Sequence, residues 1–387
     1  MTSPDPLLVW RDEFPILDTC TYLVSHSLGA MPRSAATQAQ LFLDAWNTRG
    51  VRAWAEGWWE VSRETGDLLA PLLGVPPASV TMVQNVSVAQ SMLASSFGFR
   101  GPRRGIVIAT LDFPTNMYVF EGWRQHGAEV LYVPGDDGVR PSPDAWIDAI
   151  DETTALVCVS LVLFRTAAIV DVVPIIERAH RVGARVVLDV YQAAGAVPFD
   201  LTALRVDYAV GGSVKWLCGG PGAGYLYVRP DLVASTRPAS TGWAAHARPF
   251  AFETGPIDFA EDGDRFQSGT PNVAAWMIAQ AGYRAIREVG VARIREKSLR
   301  LTRRIIEHAL AREWNVRTPL DDGSRGGTVT LDVPDSARVA AALLDRGVII
   351  DHRPQAGIRM APHFYTTDTD IDVALAALDE LTGRGKG

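Results

Sequence analysis

Two apolar runs that end in opposite charges constrain this chain more than any other feature. The stretch from Val187 to Gly224 reads VLDVYQAAGAVPFDLTALRVDYAVGGSVKWLCGGPGAG. One apolar run ends in Asp189. A second, DYAVGGS, leads into Lys215, and a glycine cluster follows at once. Open α/β sheets bind ligands outside the carboxyl ends of their strands, so an acid at one strand end and a lysine at the next are read as facing one ligand. Desolvation among apolar and small residues lowers an amine pKa, which favours Schiff-base chemistry. Pyridoxal 5′-phosphate matches both groups: its aldehyde needs the amine, and its ring nitrogen needs a nearby carboxylate. On spacing alone, a capping Asp and a solvated Lys remain open. The run Gly220-Pro221-Gly222-Ala223-Gly224-Tyr225 is not a dinucleotide fingerprint, because Tyr225 stands at the last glycine position. Its glycines are read as a sharp turn after the lysine.

The remaining pattern alternates strands and helices. Strands are expected at 79–83, 105–110, 129–134 and 155–160. A helix from Val173 to Arg181 then supplies the crossover of a parallel sheet. The first of these strands runs through Gln84-Asn85-Val86-Ser87 into a helix, and exposed amides at a helix start form an anion site. Helices are also expected over 35–50 and 53–73, the second carrying Trp54, Trp58 and Trp59, which fit either a core or a substrate mouth. Residues 14–33 begin as a strand-like run that turns at Ser27-Leu28-Gly29. Past Lys215, long helices from Pro271 to Glu288 and from Ala292 to Arg312 precede two strands, GTVTLDVP and GVIIDHR, with a helix between them. A last helix begins at Asp370, and the closing Gly-Arg-Gly-Lys-Gly is expected to fray. The fold class is α/β. The expected organisation is an N-terminal segment over 1–33, a large cofactor-binding domain over 34–285 and a small α+β domain over 286–387.

Composition excludes several classes. The chain has 387 residues, 47% of them hydrophobic and 21% charged, which suits a globular enzyme with a substantial core. The net charge of −7 leaves no basic surplus for nucleic acid. Cys20, Cys158 and Cys218 lack metal-ligand spacing and are read as reduced thiols, with no metal site. The N-terminal MTSPDPLLVWRDEF has no signal-peptide pattern, and no apolar run reaches membrane-spanning length. A cytoplasmic location is expected.

Three local patterns carry a family resemblance: D-x-x-Q from Asp189, G-G-S-x-K-W-L around Lys215, and G-G-P-G-x-G-Y-L after it. They resemble the class V aminotransferase family of fold-type I pyridoxal phosphate enzymes, most of all kynureninase, with isopenicillin-N epimerase and cysteine desulfurase as cousins. The resemblance runs from about Phe14 to the C-terminus. It implies a mostly parallel seven-stranded sheet flanked by helices. It also implies a cofactor on Lys215, with Asp189 at the ring nitrogen and Phe113 stacked on the ring. Val86, Ser87 and Ser213 are implied at the phosphate, and Ser160 and Gln192 as further cofactor contacts. Arg359 is implied at the substrate α-carboxylate through its planar, bidentate fork. Trp243 and Thr270 are implied to reach across a homodimer interface. His26, where the family has Asn, is a candidate acid or base. Ser27, Asn47 and His363 are candidate substrate contacts, with a surface-loop role the favoured reading for His363.

Four positions depart from kynureninase: Asn47, Gln192, Val214 and Thr270 stand for its His, His, Tyr and Asn. The expected activity is therefore side-chain cleavage of an amino acid by C–S or C–C scission, kynureninase-like without being kynureninase. Desulfurase action is disfavoured because no cysteine lies in an obvious mobile loop. The alternatives are an aminotransferase or decarboxylating oxidative deaminase, and a cofactor-binding scaffold without catalysis.

Overall fold

The computed structural model describes residues 5–135 and 137–383. Of the C-terminal tail expected to fray, residues 383–387, all but Gly383 lies outside the described residues. Two 3-10 turns, Pro6–Glu13 and Pro15–Asp18, lead into a short strand, β1 (Thr21–Tyr22). Seven more form the main sheet: β2 (Val80–Val83), β3 (Gly105–Ala109), β4 (Glu129–Val133), β5 (Thr154–Ser160), β6 (Arg185–Asp189), β7 (Tyr208–Gly212) and β8 (Gly224–Val228). Their order across the sheet is β2-β8-β7-β6-β5-β3-β4. β3 to β7 pair in parallel, and β8 runs antiparallel to both β7 and β2. The α/β expectation therefore holds, with one reversed strand inside a mostly parallel sheet.

Side-chain alternation explains why this sheet is covered on both faces. Val107, Val157, Val159, Val186, Leu188 and Ala209 enter one apolar core. Their strand neighbours Ile106, Ile108, Leu156, Cys158, Val187 and Val210 enter another. The first core takes in α2 (Val61–Leu73) and the helices Val173–Val182 and Val273–Val289. The second takes in α3 (Val86–Ala94) and Phe120 of α4 (Pro114–Gly122). Ahead of them, α1 (Arg33–Arg49) packs on the helix Val273–Val289.

A four-stranded antiparallel sheet follows, built from β9 (Asn315–Val316), β10 (Val329–Asp332), β12 (Asp351–Arg353) and β13 (Gly357–Met360). Helices Val291–Ala311, Ser336–Asp345 and Asp368–Leu381 enclose a third core around Leu301, Ile305, Leu331, Leu343, Ile358 and Leu378. Leu23, from the start of the chain, joins that core.

Three expectations about elements differ from the structure. The helix expected over 53–73 is broken. A 3-10 turn covers Gly50–Trp54, and the α-helix starts only at Val61, because Gly57 adopts φ 135°, outside the helical region. The run GVIIDHR is two strands, not one. β11 (Val348–Ile349) pairs in parallel with β1, while β12 turns into the four-stranded sheet. Residues 14–33 hold mainly a short 3-10 turn, Pro15–Asp18, and the two-residue β1.

The loop after β1 lies against the lysine loop. The Gly29 amide donates to the Val214 carbonyl at 2.8 Å. A Cβ on Gly29 would stand 2.1 Å from the Lys215 carbonyl oxygen, so only glycine permits this approach. Gly29→Ala should destabilise the protein by roughly 1–3 kcal/mol, read from urea unfolding of the cofactor-free protein.

Candidate active site

Parallel strands put their carboxyl ends on one edge, and the chain's chemistry collects there. Ser160 ends β5, Asp189 ends β6, and the two are register partners. Asp189 is also paired with Val210 of β7, whose continuation carries Ser213 and Lys215. The N-terminus of α3, at Val86, follows directly from β2. A cavity of about 230 Å³ at this edge is lined by Val86, Ser87, Phe113, Ser160, Asp189, Gln192 and Lys215, all singled out from sequence. Asn85, Thr115, Asn116, Val162, Phe164 and Tyr191 complete its wall.

Lys215 sits between two rings. Its Nζ lies 4.2 Å from the centroid of Tyr191 and 5.6 Å from that of Phe113. Burial pushes its amine down from the ordinary 10.5 to about 8; the Asp189 charge opposes the shift and Arg359 adds to it. Gly212 makes room for the upper ring, since a Cβ there would stand 2.5 Å from Tyr191.

Asp189 is buried, and burial raises its pKa. The Tyr191 amide, donating at 2.8 Å, and Asn116 Nδ2, donating at 3.1 Å, favour the ionised form and partly offset that rise. Asn116 also donates to Ser160 Oγ at 3.5 Å and accepts from Gln90 Nε2 at 2.7 Å. Ser160 donates in turn to a second buried carboxyl, Asp112. Burial pushes Asp112 up to about 7; the Ser160 hydrogen bond works against that shift and the Asp189 charge with it.

At the other end of the cavity, Asn85 caps α3 by accepting from the Val88 amide at 3.0 Å. The amides of Val86 and Ser87 lie in the open first turn, where a helix binds anions. Ser87 Oγ donates to Thr115 Oγ1 at 3.4 Å. Gln192 is held on both sides: it accepts from Trp216 Nε1 at 2.9 Å and donates Nε2 to the His26 carbonyl at 3.1 Å.

Other residues singled out from sequence lie elsewhere. Ser213 is buried beneath the turn, bonded to the Ala223 carbonyl at 2.5 Å and to Tyr283 Oη. Arg359 is buried, donates Nη1 to the Phe164 carbonyl at 2.6 Å, and pairs with Asp351 through Nη2. His26 is 1% exposed, with Nε2 3.3 Å from Asp351. Burial lowers its pKa to about 3, although the Asp351 hydrogen bond pulls upward. Burial therefore works against a charged ring near neutrality. His363 is no surface residue either. It is buried, with Nε2 2.9 Å from the Trp216 carbonyl, and burial lowers its pKa to about 4.

Ser27 sits in the turn whose amide donates to the Val24 carbonyl at 2.8 Å. Asn47 is exposed on α1, and Thr270 is exposed in its loop; neither lines the cavity. Trp243 is 42% exposed and packs with Trp59, Phe250 and Phe252 in an aromatic patch away from the cavity. Trp54 and Trp58 pack inward against the first core. No cysteine lines the cavity; Cys158 and Cys218 are buried and Cys20 is half-buried. Among the described residues no cluster could hold a metal ion, and no helix is long and apolar enough to cross a membrane.

Sequence reasoning gave no role to Tyr191, Asn116, Asp112 or Asp351. Asn116 follows Phe113 by three positions, and Tyr191 follows Asp189 by two, so their proximity to the site was available in the sequence. Asp112 and Asp351 become visible only through tertiary contacts.

The aminotransferase class-V family model matches residues 21–368. The chain belongs to this family. It is 32% identical over 398 residues to kynureninase from Pseudomonas fluorescens, covering 99% of this chain and 94% of that one. It is 31% identical to kynureninase from Geobacillus thermodenitrificans, covering 96% and 90%. In fold it is similar to apo cysteine desulfurase from Thermococcus onnurineus NA1, with a TM-score of 0.87 at 20% identity, covering 99% of each chain. It is equally similar in kind to C-DES, a cystine C–S lyase, with a TM-score of 0.84 at 19% identity, covering 94% and 98%. A variant of C-DES has been solved with glycine covalently linked to its PLP cofactor.

Class-V enzymes use pyridoxal 5′-phosphate, and the residues at this edge fit it. Lys215 supplies a low-pKa amine, Asp189 a buried carboxylate, α3 an open anion site, and Phe113 and Tyr191 flat apolar walls. Cofactor-free protein should therefore combine with pyridoxal phosphate at a rate that rises with pH around a midpoint near 8, because only the uncharged amine is nucleophilic. Stopped-flow absorbance checks this, and a midpoint near the ordinary 10.5 would show an exposed amine.

Proposed function

We propose that this enzyme cleaves the side chain of an amino acid, as a C–S or C–C β-lyase or hydrolase, and that it is not a kynureninase. The observation that carries this reading is the convergence of Lys215 and Asp189 in one small cavity. No cysteine lines that cavity to receive sulfur. Pyridoxal phosphate, when bound, supplies the sink for the electron pair left at Cα. Everything else falls to this chain's own residues.

Asp189, which accepts from the Tyr191 amide and Asn116, would hold the proton on the ring nitrogen. The first turn of α3 would hold the phosphate. Arg359 binds the substrate carboxylate; its Nε has no protein partner and is free to donate. Lys215, whose pKa near 8 lets it exist both charged and uncharged near neutrality, removes the Cα proton and returns one. Phe113 and Tyr191 keep water away from that exchange.

Two features support an activity other than that of kynureninase. Gln192 stands where kynureninase has a histidine, and its amide is tied to Trp216 and the His26 carbonyl, so no titratable group meets the cofactor there. Asn47 is exposed on α1, away from the cavity. Holoenzyme offered S-substituted cysteines, β-substituted alanines and kynurenine should release thiol or another side-chain fragment from one of the first two groups, with little turnover of kynurenine. Conversion of the cofactor to its pyridoxamine form without a keto acceptor would overturn the lyase reading. Lys215→Ala should abolish turnover. Arg359→Ala should raise KM by an amount worth about 2 kcal/mol.

The same reading makes the enzyme a homodimer with shared sites. Trp243 and Thr270 are exposed and do not reach their own chain's cavity, and the aromatic patch around Trp243 is a large apolar surface for a monomer to present. Trp243→Ala and Lys215→Ala proteins, each inactive alone, should regain activity when mixed and re-equilibrated. A mixed dimer then contains one site with both native residues.

A further inference from the structure

The corner where Asp351 meets His26 and Arg359 is only partly used by the chemistry above. A single carboxylate oxygen, Asp351 Oδ2, lies 3.3 Å from His26 Nε2 and 3.3 Å from Arg353 Nη2, and accepts from Arg359 Nη2. The corner borders the cavity through two of its wall residues. Gln192 donates to the His26 carbonyl, and Phe164 accepts from Arg359. The Lys215 amine responds to the charges of Arg359, Arg353 and Asp351.

Two buried nitrogens in this corner have no partner in the protein, His26 Nδ1 and Arg359 Nε. An unpaired buried polar atom is costly, so such atoms mark places that a ligand completes. Chemistry fixes what each one needs. Arg359 Nε is always a donor. Burial pushes the Asp351 carboxyl up, but the hydrogen bond from His26 and the Arg359 charge outweigh that and hold it well below the usual range. An ionised carboxylate can only accept, so His26 Nε2 carries the hydrogen. The ring faces Asp351, Arg359 and Lys215, and burial keeps it neutral among them. A neutral imidazole with hydrogen on Nε2 has a lone pair at Nδ1, so that nitrogen is an acceptor.

We propose that Arg359 Nε and His26 Nδ1 form a two-point reader, in which Arg359 takes the substrate carboxylate and His26 accepts a hydrogen bond from an O–H or N–H on the substrate side chain. The substrate class is then an amino acid whose side chain carries a hydrogen-bond donor. A site built around an unpaired acceptor rejects analogues that lack the donor, because they leave the acceptor buried and unpaired. The inference rests on Arg359 as the carboxylate anchor, and its test separates the two.

Carboxylic acids without an amine bind without reacting, so calorimetry on enzyme loaded with pyridoxal phosphate reads equilibrium affinity. Three size-matched pairs exchange a hydroxyl for a methyl group: 3-hydroxypropionate and butyrate, 4-hydroxybutyrate and pentanoate, 3-(4-hydroxyphenyl)propionate and 3-(4-methylphenyl)propionate. In at least one pair the hydroxylated acid should bind the native enzyme about tenfold tighter. His26→Gln keeps an N–H within reach of Asp351 and lacks the acceptor at the Nδ1 position. It should lose that preference while binding the unhydroxylated acids as before.

Equal binding within every native pair, or a preference that survives in His26→Gln, overturns the reader. Equal weakening of both members in His26→Gln does so too, since His26 would then act only by supporting Asp351. If the Gln side chain disturbs the fold, His26→Phe, judged by the same within-pair ratio, replaces it. Arg359→Ala should weaken all six acids; if it weakens none, the anchor itself is wrong, whatever the ratios.

Discussion

An amine held out of water sets the terms for everything around Lys215. Its charge is disfavoured by burial and by the Arg359 guanidinium, and favoured by Asp189. The balance places the group where it can gain or lose a proton near neutrality. That balance depends on strand register. Asp189 and Lys215 meet only because β6 and β7 pair so that Asp189 lies opposite Val210, with the lysine turn just beyond. A slip of one residue in that ladder would send alternate side chains to the opposite face of the sheet. Burial of both faces is therefore what protects the chemistry as well as the fold.

Below the cavity, the polar residues form a connected set. Asp189, Asn116, Ser160, Asp112 and Gln90 are linked by hydrogen bonds within the second apolar core. Two carboxyls in one dry network cannot both ionise cheaply. Burial raises both; Asp189 accepts from the Tyr191 and Asn116 amides, and Asp112 from the Ala109 amide at 3.3 Å and from Ser160.

The strand-end positions were legible in the sequence because strand geometry is local. An apolar run followed by an acid, or by a lysine and glycines, fixes which side chains reach the carboxyl edge. Asp189 and Lys215, named in this way, line the cavity with Val86 and Ser87 of the helix start, and Phe113, Ser160 and Gln192, which the family resemblance implied, join them. The same logic could not reach Asp351, because a GVIIDHR run gives no sign that it will divide between two sheets. The surroundings of His26 were hidden for a related reason. Its ordinary pKa suggested proton transfer, yet its protonation state is set by burial and by a carboxylate from the far end of the chain. The helix expected over 53–73 failed at Gly57, where hydrophobic periodicity continues across a backbone that cannot. Trp243 and Thr270, named only through the family resemblance, do not line the cavity.

The parallel pairing of β1 with β11 joins residues 21–22 to residues 348–349. Protein synthesis is vectorial, so the opening segment has to stay unpaired until nearly the whole chain has left the ribosome. The strands bearing Asp189 and Lys215 can assemble well before that moment. The corner containing His26 cannot, because Asp351 is made almost last. A nascent chain thus gains its reactive edge early and its means of choosing among ligands late, and a prematurely terminated product would keep the first without the second.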